Sequence, residues 1–64
     1  MEKLTIMYSS RRYELHKGDE FDVMRTVNND CVLLMPNDRP NIVMSEAEAM
    51  IYGYLRGKPQ IGGK

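Results

Sequence analysis

The sequence predicts a small α+β domain in which an antiparallel meander of four to five strands is followed by one C-terminal α-helix. Two observations support this fold class. Short runs of alternating apolar and polar residues recur between residues 3 and 44, and turn-forming residues separate them, a pattern typical of antiparallel strands. The segment 45–57 instead carries helix start and stop signals together with apolar residues at helical spacing.

The first two strands are predicted near the N-terminus. Leu4, Ile6 and Tyr8 occupy alternate positions, so one face of this segment is more strongly apolar than the other. Tyr13 and Leu15 alternate with polar residues in the same way and predict a second strand. Residues 9–11 have the composition of a turn, so we expect the two strands to form a hairpin.

Three further strands are predicted before residue 45. After a turn at residues 17–20, Phe21, Val23, Arg25 and Val27 share one side of a third strand. Residues 31–35 are apolar at both odd and even positions, which is typical of a strand covered on both faces, and we expect them at the centre of the core. Residues 41–44 add a short fifth strand.

The C-terminal segment carries the clearest signals. Ser45, with Glu48 three residues later, predicts a capping box at the start of a helix. Gly57 suits the left-handed residue that follows a helix, and Pro59 prevents continuation. The apolar stripe, which we expect to face the sheet, consists of Ala47, Met50, Ile51, Tyr54 and Leu55.

These elements predict one core and one domain, residues 1–57, with a flexible tail at residues 58–64. The predicted core residues are Leu4, Ile6, Leu15, Phe21, Val23, Val32, Leu34, Ile51 and Leu55, with Met50 and Tyr54 at its edges. Two architectures fit: an open antiparallel sheet with the helix on one face, or a small SH3-like barrel with the helix plugging one end.

Composition narrows the functional classes. Nine basic and nine acidic side chains give zero net charge, whereas nucleic-acid-binding domains usually have a basic field. The single cysteine predicts a reducing, cytoplasmic setting, because small secreted domains usually carry paired cysteines. No apolar run approaches the length of a membrane span, so we expect no membrane association.

Residues for catalysis and metal binding are sparse. His16 lies on the polar side of its predicted strand, and Cys31 begins the most apolar strand, where a cysteine behaves as a small buried apolar side chain. One histidine and one cysteine cannot build a structural zinc site. We therefore expect no enzymatic activity, no cofactor, no metal and no small-molecule substrate.

Two surfaces are candidates for function. The first is the predicted outer side of the helix, formed by Ala49, Tyr52, Gly53 and Arg56, which favours a non-enzymatic protein-interaction module that docks on a larger partner or forms a homodimer. The second favours a weak nucleic-acid-binding barrel, in which arginines beside an aromatic ring pair with phosphates and stack on bases; its residues are Arg11, Arg12, Tyr13 and Arg25.

Each surface also has a purely structural interpretation. A glycine at position 53 would destabilise the predicted helix by up to about 1 kcal/mol relative to alanine, so its presence needs an explanation. Close approach of a partner is one reason, and contact of Gly53 with the chain's own sheet is the other. If the first holds, Gly53→Glu should leave the domain folded and abolish association. For the second surface the structural interpretation, a solvated hairpin, is favoured, because Glu14, Asp19, Glu20 and Asp22 lie nearby in sequence and dilute the positive field.

Overall fold

The computed structural model describes residues 1–61, which form five strands and one helix. Along the chain these are β1 (Glu2–Ile6), β2 (Glu20–Arg25), β3 (Cys31–Leu33), β4 (Ile42–Met44), α1 (Glu46–Tyr52) and β5 (Gly53–Arg56). The strands build one antiparallel sheet in the order β4-β3-β2-β1-β5. This sheet is not closed into a barrel, and the predicted α+β class is confirmed.

One face of the sheet forms the core together with Ala49 of α1 and Leu15 of a loop. Leu4 lies opposite both Phe21 and Leu55, and Val23 lies opposite Leu33. Directly opposed residues of antiparallel strands project from the same face, so these side chains pack together. The buried apolar residues are Leu4, Ile6, Leu15, Phe21, Val23, Cys31, Leu33, Met44 and Ala49.

The predicted choice of buried side in β3 was wrong. Leu33 is fully buried opposite Val23, whereas Val32 lies opposite Met24 on the other face and is only partly buried. Leu34 is also only partly buried. Both sides of this strand are apolar in sequence, so only the pairing with β2 decides which side enters the core.

The predicted second strand was also wrong, because β1 pairs with β2 and residues 11–14 form a turn. The hydroxyl of Ser10 accepts a hydrogen bond from the amide of Tyr13 at 3.3 Å, and Glu14 adopts a positive φ of 56°. Ser10 and Leu15 close this turn by exchanging backbone hydrogen bonds. The apolar side chain of Leu15 therefore reaches the core from a loop.

The helix begins where predicted and ends earlier. The hydroxyl of Ser45 accepts a hydrogen bond from the Glu48 amide at 3.0 Å, which confirms the N-cap. The helix ends at Tyr52, and the predicted last turn is the strand β5, paired with β1. Gly57, with φ of 94°, follows this strand and does not cap the helix.

The segment after β5 crosses the start of β1. A Cβ on Gly57 would lie 2.5 Å from the carbonyl oxygen of Met1, so the two chain segments are in close contact. Further on, the carbonyl oxygen of Gln60 accepts a hydrogen bond from the amide of Arg25 at 2.8 Å. Of the predicted flexible tail, residues 62–64 lie outside the described residues, and the flexibility of the segment stays a prediction.

Candidate protein-binding site

The helix α1 is held against the sheet by small and polar side chains. Ala49 has no solvent exposure and lets the helix backbone approach the core closely. The hydroxyl of Tyr13 donates a hydrogen bond to Glu48 at 2.7 Å, and its ring meets that of Tyr52 edge-on at 5.7 Å. At the start of the helix, Glu46 accepts a hydrogen bond from Arg25.

This arrangement turns the helical part of the predicted inward stripe toward solvent, whereas Leu55, in β5, packs against the core as predicted. Met50 is 63% exposed and Ile51 is 65% exposed, and Ala47 is exposed on the same side of the helix. These residues have i, i+3 and i+4 spacing and lie opposite Ala49 around the helix axis. We call Ala47, Met50 and Ile51 the helix face. The expectation that Ile51 belongs to the core was therefore wrong.

Two more exposed apolar side chains lie at the C-terminal end of the helix. The amides of Met7 and Tyr8 both donate to the carbonyl oxygen of Tyr52, at 2.8 and 2.9 Å. These bonds hold the chain after β1 beside the last turn of α1. Met7 and Tyr8 are themselves 42% and 69% exposed. Two further exposed apolar side chains therefore belong to the segment beside the end of the helix.

The charges near the start of the helix are acidic. Glu46 and Glu48 lie in the first turn of α1, and no basic residue lies in its last turn. The Glu48 carboxylate raises the pKa of Tyr13, chiefly by accepting the tyrosine hydrogen bond and also because the phenol is desolvated. The helix face is therefore apolar, and both carboxylates near its start are paired, Glu46 with Arg25 and Glu48 with Tyr13 and Arg12.

The predicted partner-binding residues do not share a helix face. Ala49 is buried in the core, and Tyr52 is partly buried against Tyr13. Gly53 and Arg56 lie in β5, where Arg56 donates a hydrogen bond to Glu20. The geometric premise of that prediction, one helix running to residue 57, was wrong. Contact of any of these four residues with a partner stays a prediction.

For Gly53 the structure supports the second reason given above, contact with the chain's own sheet. A Cβ at this position would lie 1.9 Å from the backbone carbonyl oxygen of Thr5, far inside van der Waals contact. The glycine thus permits β5 to leave the helix and pair with β1 directly. The expectation that Gly53→Glu leaves the domain folded conflicts with this geometry. The same glycine could have marked the end of the helix in the sequence, since it is unfavourable inside one.

The candidate nucleic-acid residues are also separated. Arg11 and Arg12 are exposed in the turn at residues 11–14, and the Arg12 guanidinium lies 5.1 Å from the centre of the Tyr13 ring. Arg25, in contrast, is only 3% exposed. Its guanidinium makes two 2.8 Å hydrogen bonds to the Glu2 carboxylate and is unable to reach a phosphate.

The buried Arg25 belongs to a network that joins four segments. Besides Glu2 in β1, its guanidinium donates to Glu46 in α1 at 3.2 Å and to the backbone carbonyl oxygen of Asn29 at 3.1 Å. The hydrogen bonds to Glu2 raise the pKa of Arg25 despite its desolvation. Cys31 lies opposite Arg25 in the sheet, and burial raises the pKa of its thiol.

The part of the chain that the structure describes has neither a metal-binding cluster nor a membrane-spanning helix. Within residues 1–61, no group of three or more His, Cys, Asp or Glu side chains is placed to hold a metal ion. The helix in this range is too short and too polar to cross a bilayer. The helix face, in contrast, presents exposed apolar area, which is the kind of surface that favours binding of a partner.

Comparison of the chain with protein-family models, with curated proteins and with solved structures finds no match.

Proposed function

We propose that this chain is a small, non-enzymatic protein-interaction module that docks its helix face on a larger protein. The observation that carries the proposal is the exposure of Met50 and Ile51, each above 60%, on one side of α1. A chain of 64 residues has little apolar area to spare, because small domains bury a smaller fraction of their surface on folding. Apolar side chains presented together on such a domain favour burial against a partner.

The chemistry of the helix face defines the partner. Burying one large apolar side chain stabilises a complex by about 1.5–3 kcal/mol, so Met50 and Ile51 can anchor a modest interface. Methionine is unbranched and adapts to irregular pockets. Glu46 and Glu48, near one end of this face, are already paired with Arg25 and Arg12. We therefore propose a partner with an apolar depression that receives Met50 and Ile51.

We also propose that the protein works in the cytoplasm, because its single cysteine is unpaired. Cys31 is a free cysteine, and it is buried beside β2. A buried thiol whose pKa is raised is a poor nucleophile, which supports a structural role for this residue.

The test is affinity capture with the full chain as bait and quantitative mass spectrometry of the retained proteins. The double variant Met50→Glu/Ile51→Glu should lose proteins that the parent chain retains, because charge on the helix face opposes burial. The matched control is Val27→Glu/Val43→Glu, which changes two other exposed apolar residues and should retain the same proteins. Circular dichroism should report all three chains as folded, since these side chains are exposed.

The result also separates this proposal from its alternative, weak nucleic-acid binding. That alternative retains Arg11 and Arg12 as exposed cations beside Tyr13. It predicts capture that nuclease treatment removes and that added salt weakens steeply. An apolar contact resists both treatments. Identical capture by the parent and the helix-face variant would contradict the proposed function.

A further inference from the structure

The strand β5 forms one edge of the sheet. It spans Gly53–Arg56 and pairs on one side with β1. Proteins usually guard such edges with prolines, bulges, inward-pointing charges or very short strands. The opposite edge, β4, has three residues and follows Pro40 closely. β5 contains no proline, and its charged residue, Arg56, points to the outer face of the sheet, where it bonds Glu20.

The backbone directions identify which groups of β5 are free to pair. The amide of Ile6 donates to Asp19 and its carbonyl accepts from Gly18, so the polar groups of Ile6 point toward β2. Alternate residues of a strand point to opposite sides, so Thr5 points toward β5 and bonds its register partner Tyr54. Leu55 must then direct both its N–H and its C=O to the free edge.

We propose that two copies of this chain pair through their β5 edges, antiparallel and two-fold symmetric about Leu55, to make one continuous sheet across both copies. In this register each Leu55 exchanges two backbone hydrogen bonds with the other Leu55, the arrangement of a hydrogen-bonded antiparallel pair. A two-fold interface requires a surface that is complementary to itself.

The side chains around Leu55 meet that requirement. Tyr54 of each copy lies opposite Arg56 of the other on the outer face, at the distance where cross-strand side chains interact. Tyr54 is 48% exposed, and Arg56 is oriented by its bond to Glu20, so its aliphatic stem is available to a tyrosine ring. Gly57, with φ of 94°, lies outside β5, so the pairing centres on residues 54–56 of each copy.

The register makes the proposal testable at single backbone atoms. Chemical synthesis of the full chain with an N-methyl group on Leu55 removes the donor at the free edge and leaves the side chain in place. The same group on Tyr54 removes a donor that bonds β1. We expect the first chain to fold and to dimerise about tenfold or more weakly than the parent, and the second to lose folded structure.

Sedimentation equilibrium from about 10 μM to about 1 mM measures the association. A second variant, Tyr54→Arg, places arginines opposite each other and should weaken the dimer, whereas Tyr54→Phe should retain it. A parent chain that stays monomeric throughout this range overturns the proposal, as does a dimer unaffected by N-methylation of Leu55. The helix-face variant Met50→Glu/Ile51→Glu should dimerise normally, so this result is independent of the proposed partner binding.

Discussion

At the scale of single residues, the packing of β3 depends on one position. Leu33 has no solvent exposure and lies opposite Val23 on one side and Ile42 on the other. Leu34, one residue later, leaves the strand, and its amide bonds the carbonyl oxygen of Asp22. Neighbouring leucines thus contribute very differently to the core, although their sequence context is nearly the same.

The first prediction compares these two leucines. Leu33→Ala should lower the free energy of unfolding by about 2–5 kcal/mol, because it leaves a cavity among fully buried side chains. Leu34→Ala should cost less, since Leu34 is only partly buried. Urea denaturation followed by circular dichroism measures both. Equal losses for the two variants would contradict the observed register of β2 and β3.

The second prediction concerns alkaline pH. The Tyr13 hydroxyl must keep its proton to donate to Glu48, and its pKa is raised in the folded state. The folded chain therefore binds this proton more tightly than the unfolded chain, whose tyrosines ionise near about pH 10. The bond stabilises the fold below that pH, and its contribution is lost as pH rises through the folded pKa.

Ultraviolet absorbance titration of tyrosinate measures this effect. Tyr13→Phe should remove the ionisation that occurs at the higher pH and should make stability less sensitive to alkali. Tyr54→Phe is the matched control, because Tyr54 is exposed on the opposite face of the sheet. If Tyr13→Phe and Tyr54→Phe change the titration curve identically, the hydrogen bond between Tyr13 and Glu48 is contradicted.

At the scale of elements, the junction between α1 and β5 is unusual because no loop separates them. The helix ends at Tyr52, and the amide of Gly53 still bonds the carbonyl oxygen of Ala49 while the strand begins. The carbonyl oxygen of Tyr52 accepts two bonds from the chain after β1. The carbonyl group of the last helical residue is thus satisfied by the segment that follows β1.

The third prediction tests this junction. Gly53→Ala should lower the melting temperature markedly, because the added Cβ would overlap the Thr5 carbonyl oxygen and force β5 away from β1. Overpacking of this kind costs about 1–3 kcal/mol. Gly18→Ala is a useful comparison, since its Cβ would meet no atom within 4 Å, although its φ of 97° adds strain. A melting temperature unchanged by Gly53→Ala would show that the two strands are not in close contact here.

The two ends of α1 show which features of the fold can be predicted from the sequence and which cannot. The N-cap at Ser45 was predicted because the hydroxyl and the amide that donates to it are only three residues apart in the sequence. The end of the helix was not, because residues 53–56 keep the apolar spacing of a helix while pairing with β1, far away in sequence. Because the prediction continued the helix through these residues, it placed Met50 and Ile51 on the inward side and missed the helix face.

At the scale of the whole molecule, the buried ion pair of Arg25 and Glu2 connects segments that are far apart in the sequence. It links the start of β1 to the end of β2, and further bonds reach α1 and the turn at Asn29. The alternation in β2 already placed Arg25 on the apolar side. Its acidic partner Glu2 could not be identified, because pairing a buried charge requires the register of two strands.

The fourth prediction follows from removing one partner of this pair. Arg25→Met should cost about 3–5 kcal/mol, since it leaves the Glu2 carboxylate buried without its counter-ion. The double variant Arg25→Met/Glu2→Gln should recover part of that loss. Urea denaturation of the two variants and the parent measures the difference. Equal stability of Arg25→Met and the parent would contradict the burial of this pair.

The position of β1 between β2 and β5 has a consequence for how the chain folds as it is made. Lys3, near the beginning, pairs with Arg56. A ribosome releases the chain from its N-terminus, so β1 emerges long before its partner on that side. Until β5 follows, the hydrogen-bonding groups of Lys3 and Thr5 stay open to other strands. Native pairing on this side of β1 therefore waits until β5 has been synthesised, which makes it a late, long-range step of folding.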